Sequence, residues 1–244
     1  MNSFERITKK TFQNFGILVR KYNAATSEEL RRIKLLQHYK IDLVFDIGAN
    51  VGQYATGIID AGYAGKIVSF EPLTSAYSVI ENESKKHTNW MVAPRCAVGS
   101  KREEIEINIS ANSVSSTLLN MLDSHYQGAP DSKIIGKEKV QVYPLDEIGV
   151  EYSQSAKNIF IKIDVQGFEQ ELLKGAQAMI DKAVGVEMEI SLIPLYENQN
   201  WLLPQVLDYM GNKGFQLTSI VPAFTDNNTG IVLQCNGIFF RNKK

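Results

Sequence analysis

Cysteine and histidine are scarce in this chain of 244 residues, which has two of the first and three of the second. Cys96 and Cys235 lie far apart, and the sequence has no Cys-x-x-Cys pair and no Cys/His cluster. His38, His87 and His125 are equally scattered. Because zinc sites are built from clustered cysteine and histidine ligands, we expect neither a structural zinc site nor a histidine-based metal site.

Long apolar runs and an excess of one charge sign are also lacking. No uncharged apolar stretch approaches the roughly 18 residues that a bilayer requires, so we expect no membrane span. The first 21 residues mix charged and apolar side chains, unlike a secretory signal. A net charge of −1 gives no overall attraction to nucleic acid. We therefore expect a soluble, cytoplasmic protein without a nucleic-acid partner.

The composition that remains is globular, with 44% hydrophobic and 22% charged residues. Residues 1–40 predict a helical N-terminal extension, with a helix that starts after Thr26 or Ser27. Residues 41–244 predict one domain in which short apolar strands alternate with helices. Strands are predicted over residues 41–47, 66–70, 91–98, 104–109, 159–163, 183–190, 215–221 and 237–241. Helices are predicted over residues 51–61, 74–86, 170–182 and 201–213.

This alternation predicts an α/β fold, a single Rossmann-like domain whose mostly parallel sheet is covered on both faces. Only a loop joins the last two strands, so we expect an antiparallel strand at the edge of the sheet. Residues 110–135 are polar and predict an irregular segment with a short helix near residues 118–123. Ligands of such sheets bind beyond the carboxyl ends of the strands, which directs attention to the loops there.

The first strand is followed by the loop DIGANVG, residues 46–52, in which Gly48 allows a sharp turn. Glu71 ends the next strand, where an acid can accept hydrogen bonds from a ribose diol. A dinucleotide fingerprint would have glycine at the positions of Asn50 and Gln53. The loop therefore favours a nucleoside cofactor without a pyrophosphate, such as S-adenosylmethionine, over NAD. The alternative is a tight turn followed by an ordinary glutamate at a strand end.

Longer segments of the chain resemble one family, the FkbM-type methyltransferases, over roughly residues 40–242. The segments are DIGANVGQYA, SFEP, NSVSSTLLNML, PLDEI, IKIDVQGFEQELLKGA, EMEISLIPLYENQ, KGFQL and TGIVLQCNGIFFR. The resemblance implies a class I enzyme that uses S-adenosylmethionine and generally methylates hydroxyl groups of sugars or natural products.

The same resemblance implies roles for particular residues. The cofactor loop would comprise Asp46, Gly48, Asn50 and Gly52. Glu71 would bind the ribose, Pro72 and Leu73 would lie under the adenine, and Cys96 and Ala97 would contact the adenine edge. Asp164 would lie near the transferred methyl group. Two positions depart from the family pattern, which more often has glutamate at Gln166 and aspartate at Asn236.

Three side chains are candidates for the chemistry itself. Asp164 follows an otherwise apolar strand, so it can act as a base or orient the substrate, although capping the next helix is an alternative. Glu189 shares a strand face with Glu187 and can bind a substrate hydroxyl, while Glu187 can be a satisfied structural acid. These acids could hold Mg²⁺, but the pattern is unspecific and we do not favour a metal site. His125 is a reserve base or a solvated loop residue.

Small polar residues around 112–117 suit a polyhydroxyl ligand. Asn112, Ser115 and Ser116 are the candidates, with a capped loop as the alternative. Tyr196 can stack on a sugar ring, and packing is an equal explanation.

The function predicted is S-adenosylmethionine-dependent O-methylation of a hydroxyl on a sugar, polysaccharide or glycosylated metabolite. Methylation of a non-sugar small metabolite and a non-catalytic, cofactor-binding scaffold stay open. An N-methyltransferase is disfavoured because residues 164–167 read DVQG, not Asn/Asp-Pro-Pro-Tyr. A carbohydrate or small hydroxyl compound is the expected partner. Five apolar residues of the extension would cover the site or form a homodimer, and these are Phe4, Phe12, Phe15, Ile17 and Leu18.

Overall fold

The computed structural model, which describes residues 3–112, 115–129 and 131–241, shows strands and helices alternating along most of the chain. The strands are β1 Leu43–Ile47, β2 Lys66–Phe70, β3 Trp90–Val92, β4 Ala97–Val98, β5 Glu103–Ser110, β6 Ile134–Tyr143, β7 Ile159–Ile163, β8 Ala183–Ser191, β9 Phe215–Pro222 and β10 Gln234–Arg241. The helices are α1 Ser3–Gln13, α2 Glu28–His38, α3 Gln53–Asp60, α4 Thr74–Ser84, α5 Asp123–Gly128, α6 Leu145–Ile148, α7 Val150–Ser153, α8 Glu169–Lys174, α9 Gln177–Lys182 and α10 Leu203–Asn212.

Within the described residues, seven strands form one sheet in the order β3-β2-β1-β7-β8-β10-β9. Neighbouring strands from β3 to β8 are parallel, whereas β10 runs antiparallel to both β8 and β9. The predicted mostly parallel α/β sheet is confirmed. The antiparallel strand lies second from the edge, because β10 inserts between β8 and β9.

Apolar side chains cover both faces of this sheet. On one face Phe45, Ile161 and Met188 lie in a buried cluster with residues of α8, α9 and α10. On the other face Val44 and Phe160 lie in a cluster with residues of α2, α3 and α4. Strands β1 and β7 are buried along their whole length, as expected for central parallel strands.

A second, smaller sheet has the order β4-β6-β5 among the described strands. The prediction of one strand over residues 91–98 is wrong, because β3 pairs with β2 in the large sheet and β4 pairs with β6 in the small one. Pro94, which lacks an N–H donor, lies between them. Strand β6 lies partly in the segment predicted to be irregular, and the short helix there is α5 instead of residues 118–123.

The helix predicted over residues 170–182 is divided into α8 and α9 at Gly175. A Cβ atom at Gly175 would lie 2.0 Å from the carbonyl oxygen of Gly99, so the two chain segments approach closely there. Asp146 caps α9, since its carboxylate accepts the N–H groups of Ala178 and Met179 at 2.9 and 2.8 Å.

Helix α2 starts as predicted, with the Ser27 hydroxyl accepting the N–H of Leu30 at 3.2 Å. Its Ile33 and Leu36 are buried with the sheet residues of the α2–α3 face. Among the helices of the described residues, none combines the length and apolar character that crossing a bilayer demands.

Candidate active site

The loop between β1 and α3 turns at three residues with positive φ, which are Gly48 at 75°, Asn50 at 48° and Gly52 at 91°. A Cβ atom at Gly48 would lie 1.8 Å from the carbonyl oxygen of Asp164. Glycine is therefore required where the end of β1 passes the end of β7. A Cβ atom at Gly52 would lie 2.6 Å from the Trp90 ring, so Gly52 serves the packing of the turn.

Glu71 lies at the floor of a cleft beside this loop and is 4% exposed. Its two carboxylate oxygens accept the N–H groups of Asn50 at 2.7 Å and Leu73 at 2.9 Å. Burial raises the pKa of Glu71 to about 7, although both N–H donors favour the ionised form. The carboxylate is thus fixed in orientation and titrates near neutral pH.

The cleft around Glu71 lies beside the carboxyl ends of β1, β2 and β7. Apolar side chains form most of its wall and polar groups converge at Glu71 and Asp164. The wall includes Gly48, Asn50, Phe70, Pro72, Leu73, Cys96, Ala97, Val98, Ser116, Thr117, Val165 and Phe168. A carboxylate flanked by apolar walls fits a nucleoside, with the acid at the ribose and the apolar side chains at the base.

A second cavity lies beside the junction between Gly48 and Asp164. It shares Gly48, Asn50 and Asp164 with the first cleft. Its other walls are polar and come from α2, α3 and the carboxyl ends of the central strands. They comprise Arg32, Gln53, Tyr54, Lys162, Glu187, Glu189 and Asn236.

Asp46 and Lys162 form a buried ion pair beneath the second cavity, with Nζ 3.2 Å from Oδ1 of Asp46. Ser69 donates its hydroxyl to Asp46 at 3.0 Å. Lys162 also donates to the carbonyl oxygen of Gly48 at 2.9 Å and lies 3.5 Å from Oδ2 of Asp164. Burial opposes the charge, but Asp46 and Asp164 together raise the pKa of Lys162. Lys162 is therefore a fixed cation that holds the loop and Asp164.

Glu187 is satisfied by a second buried ion pair. Arg32 of α2 donates from Nε to Oε2 at 2.8 Å and from Nη2 to Oε1 at 2.5 Å. Tyr54 donates its hydroxyl to the same carboxylate at 3.0 Å, and its ring lies 5.1 Å from the Arg32 guanidinium carbon. The interpretation of Glu187 as a structural acid agrees with these contacts.

Gln166 connects the two remaining carboxylates of the site. Its side-chain amide nitrogen donates to Oδ1 of Asp164 at 2.7 Å and to Oε2 of Glu189 at 2.8 Å. Its amide oxygen accepts the Tyr196 hydroxyl at 2.9 Å, and its carbonyl oxygen accepts the Thr117 hydroxyl at 2.6 Å. In the sequence, Gln166 stands out only as a departure from the family pattern, because its position between two acids depends on tertiary contacts.

Glu189 accepts a second amide, because Gln234 also donates to Oε2, at 2.9 Å. Among the described residues, both of its hydrogen-bond donors thus use one oxygen, which leaves Oε1 for a ligand. Burial, and then the nearby charges of Asp164 and Glu169, raise the pKa of Glu189 well above its ordinary value.

Comparison of the sequence with known protein families identifies the family of this chain. The model of the methyltransferase FkbM domain matches residues 46–217, which span β1 to β9. The chain belongs to the FkbM methyltransferase family. None of the curated protein sequences matches it significantly.

Solved structures show the same fold at low sequence identity. The methyltransferase is similar to a Klebsiella pneumoniae protein described as an O-methyltransferase, at 8% identity and a TM-score of 0.51, with 100% of this chain and 91% of that chain covered. It is also similar to a precorrin-6y C5,15-methyltransferase of Geobacter metallireducens, at 12% identity and a TM-score of 0.44, with 92% and 94% covered. The likeness to the Klebsiella protein shows a Rossmann-like fold. Membership of the FkbM methyltransferase family implies S-adenosylmethionine as the methyl donor.

Most of the residues predicted for the methyltransferase's cofactor line the first cleft, namely Gly48, Asn50, Glu71, Pro72, Cys96, Ala97 and Asp164. Asp46 and Gly52 do not lie on its wall, because Asp46 points into the ion pair with Lys162 and Gly52 packs against Trp90. Asp46 and Gly52 therefore stabilise the loop without lining the cleft.

His125 and Tyr196 lie away from both cavities of the methyltransferase. His125 is 2% exposed, and its ring centroid lies 5.5 Å from those of Tyr196 and Phe224. Burial lowers the pKa of His125, so it is not a solvated loop residue. Tyr196 is fully buried, which favours packing over stacking on a sugar.

The predicted polar cluster around residues 112–117 is divided by the fold. Asn112 accepts the Ser115 N–H at 3.1 Å and donates to the Ser115 hydroxyl at 3.0 Å, as in a capped loop. Ser116 lines the first cleft, on the cofactor side. Ser113 and Val114 lie outside the described residues, as do the side chains of Phe4 and other residues near the N-terminus.

In the part of the chain that the structure describes, no group of three or more histidine, cysteine, aspartate or glutamate side chains is arranged to hold a metal ion. Asp164 and Glu189 are instead bridged by the Gln166 amide.

Proposed function

We propose that this methyltransferase is an S-adenosylmethionine-dependent O-methyltransferase that acts on a hydroxyl of a sugar, polysaccharide or glycosylated metabolite. The observation that carries the proposal is the wall shared by the two cavities, formed by Gly48, Asn50 and Asp164. Among the described residues, Asp164 is the carboxylate common to both. A cofactor in one cavity and an acceptor in the other would meet at this side chain.

Glu71 and its apolar neighbours would hold the cofactor. Each Glu71 oxygen accepts one backbone N–H and keeps a second lone pair, so the carboxylate can also accept both ribose hydroxyls. Pro72 and Ala97 belong to the apolar wall that would flank the base. When bound, S-adenosylmethionine supplies an electrophilic methyl group on its sulfonium.

Asp164 is the group that would take the acceptor proton. An acceptor oxygen must lie about 3 Å from the methyl carbon and in line with the sulfur, which positioning residues provide. A carboxylate within hydrogen-bond reach of the hydroxyl can then remove its proton. Lys162 and Gln166 hold the two oxygens of Asp164, so its orientation is fixed before the acceptor binds.

The second cavity suits an uncharged acceptor rich in hydroxyl groups. Its two cations are already paired, Lys162 with Asp46 and Arg32 with Glu187, so neither is left to recognise an anion. Glu189 receives both of its described hydrogen bonds at Oε2, so Oε1 can form a hydrogen bond with an acceptor hydroxyl. This balance of polar groups favours a neutral carbohydrate over a phosphorylated or carboxylated compound.

The cofactor half of the proposal is tested by calorimetric titration of the protein with S-adenosylhomocysteine, the demethylated product, and with NAD. We expect micromolar affinity for S-adenosylhomocysteine, no binding of NAD, and loss of binding in Glu71→Ala. Glu81→Ala, which removes an exposed acid from α4, is the matched control and should bind like the wild type.

Absence of S-adenosylhomocysteine binding by a folded protein would overturn the proposal and favour a non-catalytic role. If binding is found, a panel of glycans and non-sugar alcohols is assayed for methyl transfer with and without Mg²⁺. Transfer to a non-sugar alcohol alone would contradict the carbohydrate assignment while leaving O-methylation in place.

A further inference from the structure

Positive charge is concentrated in residues 1–27, the segment that precedes α2. This segment has five Lys and Arg residues and one acid, whereas the whole chain has 26 Lys and Arg and 27 Asp and Glu. The basic residues are Arg6, Lys9, Lys10, Arg20 and Lys21. The rest of the chain is therefore acidic overall, and the proposed reaction uses none of these cations.

The same segment exposes large apolar side chains. Phe15 is 75% exposed, Leu18 is 62% exposed and Tyr22 is 72% exposed, and Phe12 and Ile17 are exposed as well. In water such a concentration of apolar surface is unfavourable, and in proteins it marks an interaction site.

The chain reverses direction among these apolar residues. At the end of α1, Gly16 has φ of 71° and donates to the carbonyl oxygen of Gln13 at 2.9 Å. Ile17 donates to the carbonyl oxygen of Phe12, also at 2.9 Å. This pair of hydrogen bonds is the Schellman motif, which turns the chain sharply at a helix end. The turn brings residues 19–26 back along α1.

A groove lies between α1 and this returning segment. Its lining residues are Thr8, Lys9, Val19, Arg20, Lys21, Asn23 and Thr26. Of these described residues, three are cations and none is acidic. The groove directly follows the exposed Ile17 and Leu18 in the chain.

We propose that residues 1–27, the basic–apolar segment, dock this methyltransferase on an anionic membrane surface. The net positive charge of this segment would attract it to lipid phosphates, and Phe15 and Leu18 would enter the boundary between headgroups and acyl chains. A basic face beside aromatic and leucine side chains is the composition that interfacial segments use.

A second copy of the chain fits this surface less well. In a symmetric dimer the same patch would face itself, so the cations of one basic–apolar segment would meet those of the other. An anionic lipid surface can bind the apolar side chains and the basic side chains at the same time.

The basic–apolar segment is tied to the second cavity through α2. Arg31 donates to the carbonyl oxygens of Ala24 and Ala25 at 2.9 and 3.3 Å, and the next residue, Arg32, lines that cavity. Docking would therefore bring the second cavity toward the membrane. The docking itself does not depend on which acceptor is methylated.

Vesicle co-sedimentation of the full chain tests the proposal. The wild type is mixed with vesicles of phosphatidylcholine, and with vesicles of equal parts phosphatidylcholine and phosphatidylglycerol. We expect partitioning to the anionic vesicles, little to the neutral ones, and weaker binding as salt is raised. Arg20→Gln with Lys21→Gln should weaken partitioning about 25-fold, since each basic residue near the surface contributes about fivefold.

Phe15→Ser with Leu18→Ser should weaken partitioning about tenfold or more, because two exposed side chains no longer enter the interface. Matched controls are Lys85→Gln with Lys86→Gln, two neighbouring cations beyond the basic–apolar segment, and Ile135→Ser, at an apolar side chain that is 68% exposed. Both should partition like the wild type, and every variant should keep the thermal unfolding transition of the wild type.

Failure of the wild type to bind anionic vesicles would overturn the proposal, as would equal weakening in the controls. Sedimentation velocity tests the alternative that a second copy of the chain covers this surface. A wild-type dimer that becomes a monomer in Phe15→Ser with Leu18→Ser, without vesicle binding by the wild type, would show that a second copy covers this surface.

Discussion

The pH dependence of cofactor binding follows from the burial of Glu71. Burial raises the pKa of its carboxyl group to about 7, so the free protein is partly protonated there at neutral pH. A ribose diol donates two hydrogen bonds, which the ionised form accepts best and which therefore lower the pKa of Glu71 in the complex. Binding is thus favoured above pH 7 and weakens as the pH falls through 7.

The size of the effect can be worked from that value. With a pKa of about 7 in the free protein and a carboxylate that stays ionised in the complex, affinity at pH 6 is about tenfold lower than at pH 8, or ~1.4 kcal/mol. At pH 7 the complex should release about half a proton per cofactor bound.

Calorimetric titration with S-adenosylhomocysteine at pH 6, 7 and 8 measures the affinity, and two buffers with different ionisation enthalpies give the proton release. Burial also raises the pKa of Glu169 to about 7, so Glu169 could add its own pH dependence. The variant Glu71→Gln removes the titration of Glu71 alone and therefore separates the two groups. The variant should bind with an affinity that changes little with pH. A wild-type affinity independent of pH, or the same pH dependence in the variant, would refute the reasoning.

Two further predictions concern buried contacts around the site. Glu187→Ala leaves Arg32 buried without its main partner, so the free energy of unfolding in urea should fall by about 3–5 kcal/mol. Adding Arg32→Met should partly restore it. A fall below ~1 kcal/mol would contradict the importance of this pair. Gly48→Ala forces a Cβ atom against the Asp164 carbonyl oxygen at positive φ, so it should lower the free energy of unfolding by at least about 3 kcal/mol or prevent folding. The control Gly57→Ala places its Cβ atom in open space within α3, so it should be neutral or stabilising by up to ~1 kcal/mol. Equal stability of the two glycine variants would show that the close approach at Gly48 is unimportant.

The parts of the fold that the sequence predicts well are those with local signals. Strands β2 and β7 are found at the predicted residues, because each is a short apolar run with a clear boundary. The start of α2 was predicted from Ser27, whose hydroxyl is an N-cap in the structure. Each of these features depends on residues close together in the chain.

Features that depend on distant partners were not predicted. Residues 91–98 divide between two sheets because Ala97 and Val98 pair with β6, more than 40 residues later in the chain. The break between α8 and α9 follows from the approach of Gly175 to Gly99. Neither effect leaves a periodic pattern in the sequence.

The candidate site shows the same division. The loop around Gly48 and the acid at Glu71 are local motifs, and both line the first cleft. The contact of Arg32 with Glu187 joins residues 155 positions apart, and it makes α2 a wall of the second cavity. A polar residue in a predicted helical extension gives no sign of such a partner.

The central claim is that Asp164 acts on the acceptor hydroxyl where the two cavities meet. Its most direct test is the rate of methyl transfer from labelled S-adenosylmethionine to a hydroxyl acceptor by the wild type and by Asp164→Asn, with S-adenosylhomocysteine affinity measured beside it. We predict that kcat falls at least about 100-fold while the affinity changes by no more than about threefold. An unchanged kcat would contradict the account, because the proton would then leave through a different group.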